Sequence, residues 1–304
     1  MKKNFIIRKK TQLTFEGFAP ESTGRDLTEG PIAAERFANL LKLAEHNIFI
    51  GTSGYSYDDW IGPFYPSKIK KPQMLEFYQR FFPCVELNFS YYSMPSARTL
   101  FQIREKAPET KFSIKAHQSI THERKEGMEP WKNFGEALTP LKESDQLASV
   151  LCQFPYSFHN AQPALEYLLR IAEYFEQYPL VFEFRHSSWF TDKTFEILRK
   201  KRLGICSVDA PRLKGLTNNV VLATNRQAYY RLHGRNAERW FDGDNVTRYD
   251  YHYSEKEIDE LASNITKLKE TSEEVFVYAN NHPKGQAIEA AIGIADALST
   301  QGIS

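Results

Sequence analysis

Ionisable and amide side chains recur in pairs, two positions apart, at the ends of short apolar segments in this sequence. Ser53 and Gln153 end two such segments, and the pairs in the others are Glu86-x-Asn88, Lys115-x-His117, Glu183-x-Arg185, Ser207-x-Asp209, Arg231-x-His233 and Asn280-x-His282. Residues two apart on a β-strand share one face. If the segments are parallel strands, these side chains gather at one edge, where they can bind and transform a substrate.

The chemistry that this set favours is recognition of an anion. Three cationic residues, Lys115, Arg185 and Arg231, belong to it, and guanidinium groups bind phosphate or carboxylate with two hydrogen bonds. We therefore predict a small anionic or phosphorylated substrate. Its predicted contacts are Ser53, Asn88, Lys115, Gln153, Arg185, Trp189, Arg231, Asn280 and Asn281.

Carboxylates and imidazoles of the same set could transfer protons, as in a hydrolase or an isomerase. Glu86 or Glu183 would act as general acid or base, with Asp209 as a third carboxylate, and His186 or His233 would move a proton near neutral pH. A two-carboxylate glycosidase is weakly supported. Glu86 and Glu183 lie three strands apart, so they would reach only the wider, inverting separation across the mouth of a barrel.

Two other classes of function stay open. A metal-dependent hydrolase or isomerase would use Glu86, Glu183, Asp209 and histidines, but each carboxylate has a cationic neighbour in the set. We therefore predict no cofactor and keep a divalent metal as the alternative. A single-stranded or damaged nucleic acid would stack on aromatic residues that follow the segment ends. These are Tyr55, Tyr57, Trp60, Phe64, Tyr65, Phe89, Tyr91, Tyr92, Trp189 and Phe190.

Eight β-branched or aromatic segments must position these side chains. The predicted strands span 48–52, 84–88, 111–117, 149–154, 180–185, 204–209, 228–233 and 275–280. Helical periodicity between them predicts helices over 72–82, 96–106, 134–142, 161–175, 192–201, 254–269 and 285–298, with only a weak signal at 211–219. This alternation predicts the α/β class and a single (β/α)8 TIM barrel, with an open doubly wound sheet as the alternative.

The residues between the paired positions complete this prediction. They are apolar, so we expect them to face the surrounding helices: Leu87, Ala116, Phe184, Val208 and Leu232. The long connection 234–253 carries Trp240 and Phe241 and is predicted to act as a lid. Apolar residues at helical spacing in 32–45 predict one helix, so we assign 1–46 to an N-terminal extension and 47–304 to the barrel domain.

Composition excludes several classes of protein. The chain of 304 residues has 39 Lys and Arg against 38 Asp and Glu, a net charge of +1, which lacks the basic excess of a non-specific nucleic-acid binder. No apolar run reaches the roughly 18 residues of a membrane span, and the apolar stretch 5–7 is too short for a signal peptide. We expect a cytoplasmic protein with no membrane contact. Cys84, Cys152 and Cys206 stand singly, which predicts buried, reduced thiols.

The order of the motifs resembles one known family, the YecE-like proteins or domain of unknown function 72, over about residues 47 to 298. The motifs are Ile50-Gly51-Thr52-Ser53-Gly54-Tyr55, Phe64-Tyr65-Pro66, Glu86-Leu87-Asn88, Phe112-Ser113-Ile114-Lys115-Ala116, Gln153-Phe154-Pro155, Glu183-Phe184-Arg185-His186, Trp189, Asp209, Tyr230-Arg231-Leu232-His233-Gly234 and Asn280-Asn281-His282. The resemblance implies a TIM barrel of the kind shared with sugar isomerases and endonuclease IV-like enzymes, and it implies no reaction. Tyr55 stands where that family usually has Trp, and Ala279 stands where an aromatic residue is common.

Overall fold

The computed structural model describes residues 34–124, 128–217, 219–244 and 246–303. Eight strands pair in parallel in sequence order, and the last pairs with the first to close a barrel. The strands are β1 Ile48–Ser53, β2 Cys84–Leu87, β3 Lys111–Lys115, β4 Leu147–Gln153, β5 Leu180–Glu183, β6 Gly204–Asp209, β7 Gln227–Leu232 and β8 Glu274–Ala279. The predicted TIM barrel is confirmed, and the open sheet is excluded.

Helices cover the outside of this barrel. They are α1 Ala38–Glu45, α2 Lys71–Tyr78, α3 Phe89–Tyr92, α4 Ala97–Lys106, α5 Gln118–Thr121, α6 Met128–Glu143, α7 Gln162–Tyr174, α8 Asp192–Lys200, α9 Glu255–Thr271 and α10 Gln286–Thr300. The largest difference from the predicted bounds is in α6, which begins six residues earlier than the periodicity indicated. The described residues between β6 and β7 form no helix, in keeping with the weak signal at 211–219.

The helix α1 lies against the barrel as the sequence predicted for residues before 46. Leu40 and Leu43 are buried on its inner face, and its Asn39 Nδ2 donates to Asp296 Oδ1 of α10 at 2.8 Å. Residues 1–33 of the assigned extension lie outside the described part of the chain. Within the described part, no helix combines the length and the apolar character that a membrane crossing requires.

Most side chains that fill the barrel at its middle and amino-terminal levels are apolar, and the buried Ser113 and Ser149 among them are hydrogen-bonded. Close approach of β1 and β2 requires Gly51, since a Cβ there would lie 2.1 Å from the Cys84 carbonyl oxygen. All three cysteines are buried and free, as predicted. The side chains of the interior cluster are Cys84, Ala148, Leu151, Val181, Cys206, Val208, Tyr229, Phe276 and Tyr278. The charged side chains of the strand ends therefore lie above these levels, at the carboxyl end of the barrel.

The strand β6 reverses one predicted side-chain orientation. Val208 packs inside the barrel with Cys206, whereas we predicted that Val208 would face the helices and that Asp209 would face inward. Asp209 lies on the outer side, where Arg235 and Tyr253 donate hydrogen bonds to its carboxylate. The physical reason is that the interior takes the two apolar side chains of β6, while an outward carboxylate finds its donors on the helix side.

Candidate functional site

A cavity of about 620 Å³ opens at the carboxyl end of the barrel. Strand ends supply one part of its wall and the loops that follow them supply the other. The lining residues are Tyr57, Asn88, Tyr91, Tyr92, Lys115, His122, Gln153, Pro155, Tyr156, Arg185, Leu216, Arg231, Trp240, Phe241, Arg248, Tyr249, Asn280 and His282. This volume suits a small molecule, because ligand pockets of proteins typically measure about 300–1,000 Å³.

The described lining residues of this cavity have a one-sided charge. Four of them are cationic, Lys115, Arg185, Arg231 and Arg248, and none is a carboxylate. The Nε atoms of Arg231 and Arg248 are buried and have no hydrogen-bond partner among the described residues. The wall therefore presents positive charge and unused donors.

Carboxylates lie directly behind this wall, in a group that we call the inner cluster: Arg231, Glu86, Glu183, Arg185 and His233. Arg231 is 2% exposed, and its guanidinium bridges both glutamates, with Nη2 2.7 Å from Glu86 Oε1 and Nη1 2.6 Å from Glu183 Oε2. Facing carboxylates raise the pKa of Arg231 well above its usual range despite the cost of burial. The arginine stays charged and fixed in place.

Glu86 is further held by two hydroxyl groups. Ser53 Oγ donates to its Oε1 at 2.8 Å, and Tyr229 OH donates to its Oε2 at 2.7 Å. The parallel register places Ser53 directly beside Glu86 on neighbouring strands. With Arg231 as third donor, the buried Glu86 carboxylate is occupied on both oxygens. Its geometry suits positioning of Arg231 better than contact with a substrate.

Glu183 is likewise surrounded. Arg185 Nε lies 2.8 Å from its Oε1, and His233 Nε2 lies 3.3 Å from the same oxygen. Burial would raise the pKa of Glu183, but Arg185, Arg231 and His233 together hold it well below the usual range. This carboxylate is therefore ionised and paired at neutral pH.

His233 is a neutral member of the inner cluster. Asn280 Nδ2 donates to its Nδ1 at 2.9 Å, so the ring proton lies on Nε2 and faces Glu183. Burial and the positive charge of Arg185 lower the pKa of His233 to about 3. At neutral pH this imidazole orients groups and is not charged.

Lys115 stands apart from the inner cluster. Its Nζ lies 4.2 Å from the centre of the Tyr91 ring, and no carboxylate of the described residues comes within salt-bridge distance of it. Ser90 Oγ donates to the Lys115 carbonyl oxygen at 2.6 Å and holds the strand end. Burial and the charge of Arg231 lower the pKa of Lys115 to about 7. The side chain can therefore both carry and lose a proton near neutrality.

A second group of ion pairs lies outside the barrel, and we call it the outer cluster: Arg235, Asp209, Glu257, Glu260 and Tyr253. Arg235 approaches all three carboxylates, at 2.9 Å, 3.2 Å and 3.1 Å respectively. Tyr253 OH donates to Asp209 Oδ2 at 2.8 Å. Burial raises the pKa of Asp209, and Arg235 opposes that shift. The outer cluster ties β6 and the connection 234–253 to α9.

The structure places the predicted site residues in three positions. Six line the cavity: Asn88, Lys115, Gln153, Arg185, Arg231 and Asn280. Four lie just beneath it as described above: Ser53, Glu86, Glu183 and His233. Four lie elsewhere: His186, Trp189, Asp209 and Asn281.

Asp209 has been described with β6, and the other three residues have contacts that explain their places. Trp189 is fully buried, stacked on Phe184 with ring centres 4.4 Å apart, because it closes the helix-side core. Asn281 Nδ2 donates to the Tyr251 carbonyl oxygen on the outer side of β8. His186 lies outside the wall, with its ring 3.9 Å from that of His159. None of these residues lines the described cavity, where a substrate would bind.

Sequence reasoning also missed part of the wall. His122, Tyr156, Arg248 and Tyr249 line the cavity but belong to loops, where strand parity carries no information. Burial and the charge of Lys115 lower the pKa of His122 to about 4, so it is neutral. The length of the connection 234–253 was the available signal for Arg248 and Tyr249.

Part of this connection contributes to the wall of the cavity. Trp240 and Phe241 line it, and the Arg185 guanidinium lies 5.7 Å from the Trp240 ring centre. That the connection acts as a lid stays a prediction. Asp244 Oδ1 accepts hydrogen bonds from the backbone of Val246 and Thr247, which shapes the turn. The connection 234–253 thus adds aromatic side chains and Arg248 to the wall that the strands build.

A metal site is the alternative use of these side chains. Across the described ranges, no three side chains of His, Cys, Asp or Glu come together in a group that could hold a metal ion. The carboxylates of the inner cluster face guanidinium groups instead. The chemistry of the donor set therefore fits an anion better than a cation.

These features define the class of the molecule: a (β/α)8 barrel with a cation-walled cavity at the carboxyl ends of its strands. The chain belongs to the family described as protein of unknown function DUF72, which it matches over residues 49–303. The family resemblance read from the sequence is confirmed.

Two kinds of relative support this membership. The UPF0759 protein YunF of Bacillus subtilis (strain 168) is 33% identical over 260 residues, covering 80% of this chain and 91% of that protein. The crystal structure of a DUF72 family protein (TM1631) from Thermotoga maritima MSB8 superposes with a TM-score of 0.77 at 39% identity, covering 84% of this chain and all of that one. A DUF72 family protein (EF0366) from Enterococcus faecalis V583 gives a TM-score of 0.75 at 26% identity, covering 83% of this chain and 95% of that one.

Proposed function

We propose that the protein is an enzyme that acts on a small anionic substrate, such as a phosphorylated one, at the carboxyl end of its barrel. One observation carries this proposal: the described cavity wall contains four cationic residues and no carboxylate. The two glutamates that accompany them are fully buried behind the wall. An anion entering the cavity meets the cations first.

Electrostatics favours such a ligand. Burial lowers the pKa of Lys115 most, and Arg231 and Arg185 lower it further because the cations repel one another, although Glu183 and Glu86 oppose this effect. An anion between Lys115, Arg185 and Arg231 relieves this repulsion. The attraction between the anion and these cations is stronger in a partly buried cavity than in bulk water, because the effective dielectric constant is lower there.

The buried glutamates fit a supporting role in this enzyme. Glu86 and Glu183 are held by several donors each, and the low pKa of Glu183 leaves it ionised, with no proton to donate at neutral pH. We propose that they fix Arg231 and Arg185 for the substrate, in place of the acid–base roles expected from the sequence. Lys115, with a pKa of about 7, is the group of the wall that is best suited to exchange a proton with a substrate.

Thermal unfolding with a ligand panel tests this proposal. A sugar phosphate or nucleotide at about 100 times its dissociation constant should stabilise the fold by about 2.7 kcal/mol, a rise in Tm of roughly 5–10 °C. Arg185→Ala should abolish most of the rise. Arg235→Ala, in the outer cluster, is the matched control and should keep it.

Other outcomes of the same panel reject the proposal. A large rise with zinc or manganese and none with phosphorylated compounds would favour a metal-dependent enzyme. A rise with oligonucleotides alone, steeply weakened by salt, would favour nucleic-acid binding.

The nucleic-acid alternative is favoured by one observation at the rim of the cavity. Tyr92 is 64% exposed, Phe241 57% and Tyr156 40%, and exposed aromatic rings beside cations can stack bases. Replacing Tyr92 and Phe241 with Ala distinguishes the two functions. A small anionic substrate would keep most of its affinity, whereas a single strand would lose roughly 1–3 kcal/mol per stacked base.

A further inference from the structure

We propose that Lys115 is the nucleophile of the site and forms an imine with a carbonyl group of the anionic substrate. This inference rests on the proposed function and narrows the substrate class to small aldehydes or ketones that carry phosphate or carboxylate. Lys115 lies at the carboxyl end of β3, in the wall of the cavity. It is the wall's single lysine among the described lining residues.

The contacts of Lys115 leave its amine available. The wall arginines with a carboxylate partner are Arg185 and Arg231, whereas no described carboxylate pairs with Lys115. Its Nζ instead lies over the Tyr91 ring at 4.2 Å. A ring face holds the side chain without taking up the lone pair that the neutral amine needs for attack.

A second lysine on the same strand shows the contrast. Lys111 begins β3, and its Nζ lies 3.1 Å from Asp145 Oδ2 in an ion pair away from the cavity. Four residues further, Lys115 has no carboxylate partner among the described residues, and burial, Arg231 and Arg185 lower its pKa more than the buried Glu183 and Glu86 raise it. Desolvation and neighbouring cations are the conditions that activate lysine nucleophiles.

The protonation state follows from this placement. With a pKa of about 7, roughly half of the Lys115 side chains are neutral amines at pH 7. A lysine with an ordinary pKa near 10.4 would be neutral in fewer than about one molecule in a thousand. Lys115 should therefore react with a carbonyl much faster than surface lysines do.

The step balances without a cofactor. The Nζ lone pair attacks the carbonyl carbon, and a proton moves from nitrogen to the carbonyl oxygen to give a carbinolamine. The hydroxyl group then takes a proton from solvent and leaves as water while the nitrogen lone pair forms the C=N bond, which gives the protonated imine. Water reverses the step. Arg185 and Arg231 would hold the anionic end of the substrate during it.

Reductive trapping tests the proposal on the wild-type protein. Glyceraldehyde 3-phosphate and sodium cyanoborohydride are added at pH 7, and peptide mass spectrometry measures the reduced adduct on each lysine. We expect labelling of Lys115 to exceed that of Lys111 by roughly 10- to 100-fold, because the neutral fraction is larger while a lower pKa weakens the nucleophile. Excess inorganic phosphate should suppress the Lys115 adduct.

Two controls separate failure of this inference from failure of the proposed function. Lys115→Arg keeps the charge and should bind phosphate in the thermal assay without forming the adduct. If phosphate binds to the wild-type protein but Lys115 labels no faster than Lys111, the imine is wrong and the anion site stands.

Labelling with acetaldehyde, a neutral carbonyl compound, tests whether the site requires an anionic substrate. Both aldehydes should label Lys115, with the phosphorylated one faster at equal concentration. Selective labelling by acetaldehyde together with none by glyceraldehyde 3-phosphate would refute the anionic substrate class and, with it, the proposed function. Selective labelling by neither would refute the nucleophile.

Discussion

Two arginines four residues apart, Arg231 and Arg235, build opposite kinds of ion cluster. Arg231 lies near the end of β7 inside the barrel and pairs with two fully buried glutamates, one of which also pairs with Arg185. Arg235 lies outside with a 23% exposed side chain and three carboxylates around it. The inner cluster thus balances two arginines against two glutamates, and the cavity wall beside it adds Lys115 and Arg248 as further cations. The outer cluster has an excess of carboxylates beside solvent.

The difference teaches that residue type alone does not identify a site. Both clusters pair Arg with Asp or Glu, yet only the inner one lies against the described cavity. The sign of the excess charge and its burial decide whether a cluster is suited to bind a ligand. Unpaired cations in a cavity wall favour binding of an anion, whereas water already solvates an exposed excess of carboxylates.

Replacing each arginine should give the largest difference in stability between the two clusters. Arg231→Met leaves two buried carboxylates without their shared partner and should lower the free energy of unfolding by roughly 3–5 kcal/mol. Arg235→Met should cost about 1–3 kcal/mol, because water can reach its partners. Urea denaturation of both variants measures the difference. Equal losses would contradict the distinction between the clusters.

The next largest effect is a loss of stability at low pH that arises in the inner cluster. His233 binds its proton at a pKa of about 3 in the fold and near 6.5 in the unfolded chain. Between these values the unfolded state holds more protons, so stability falls as pH falls, by up to about 1.4 kcal/mol per pH unit. Below about pH 3 both states are protonated and this loss is complete.

Denaturation of the wild-type protein and of His233→Asn at several pH values measures this slope. The variant should show a shallower loss between about pH 6 and pH 4. Arg235→Met, which leaves His233 in place, should keep the wild-type slope. Parallel curves for the wild-type protein and His233→Asn would show that this imidazole is not buried neutral.

A smaller effect concerns the affinity of the cavity for anions. Lys115 loses its charge as pH rises through about 7, so sulfate, whose charge is constant in this range, should bind roughly three- to tenfold more weakly at about pH 9 than at about pH 6. Calorimetric titration measures it. Lys115→Met should remove the pH dependence, and a wild-type affinity independent of pH would argue against Lys115 as a ligand.

The smallest effect belongs to the rim of the outer cluster. The Glu260 side chain is 46% exposed and pairs with Arg235 at 3.1 Å. Glu260→Gln should change the free energy of unfolding by no more than about 1 kcal/mol, and salt should reduce the difference. A loss as large as that of Arg231→Met would mean that the outer cluster is as tightly coupled as the inner one.

Much of this arrangement could be predicted from the sequence. Strand alternation gave the barrel, and the period of two gave the inward placement of Glu86, Lys115, Glu183 and Arg231. Parity works there because the residues between them are large and apolar and must face the helices. It failed at Asp209, since β6 places Cys206 and Val208 in the interior.

Other parts of the site could not be predicted because they depend on the folding of loops. His122 and Arg248 reach the wall from connections whose course no periodicity specifies. Trp189 follows a strand end as a stacking residue would, but core packing buries it. Pairing was hidden as well: the sequence placed Arg231 and the glutamates in one ring without showing that Arg231 would bridge both.

A crystal structure of the protein soaked with a phosphorylated sugar tests the central claim most directly. We predict density for the phosphoryl group in the cavity, within hydrogen-bond distance of Arg185 and of at least one of Lys115, Arg231 and Arg248. Arg248→Ala crystals should show weaker occupancy under the same conditions. An anion seated on Arg235 or elsewhere, with the cavity occupied by solvent alone at saturating concentration, would contradict the account.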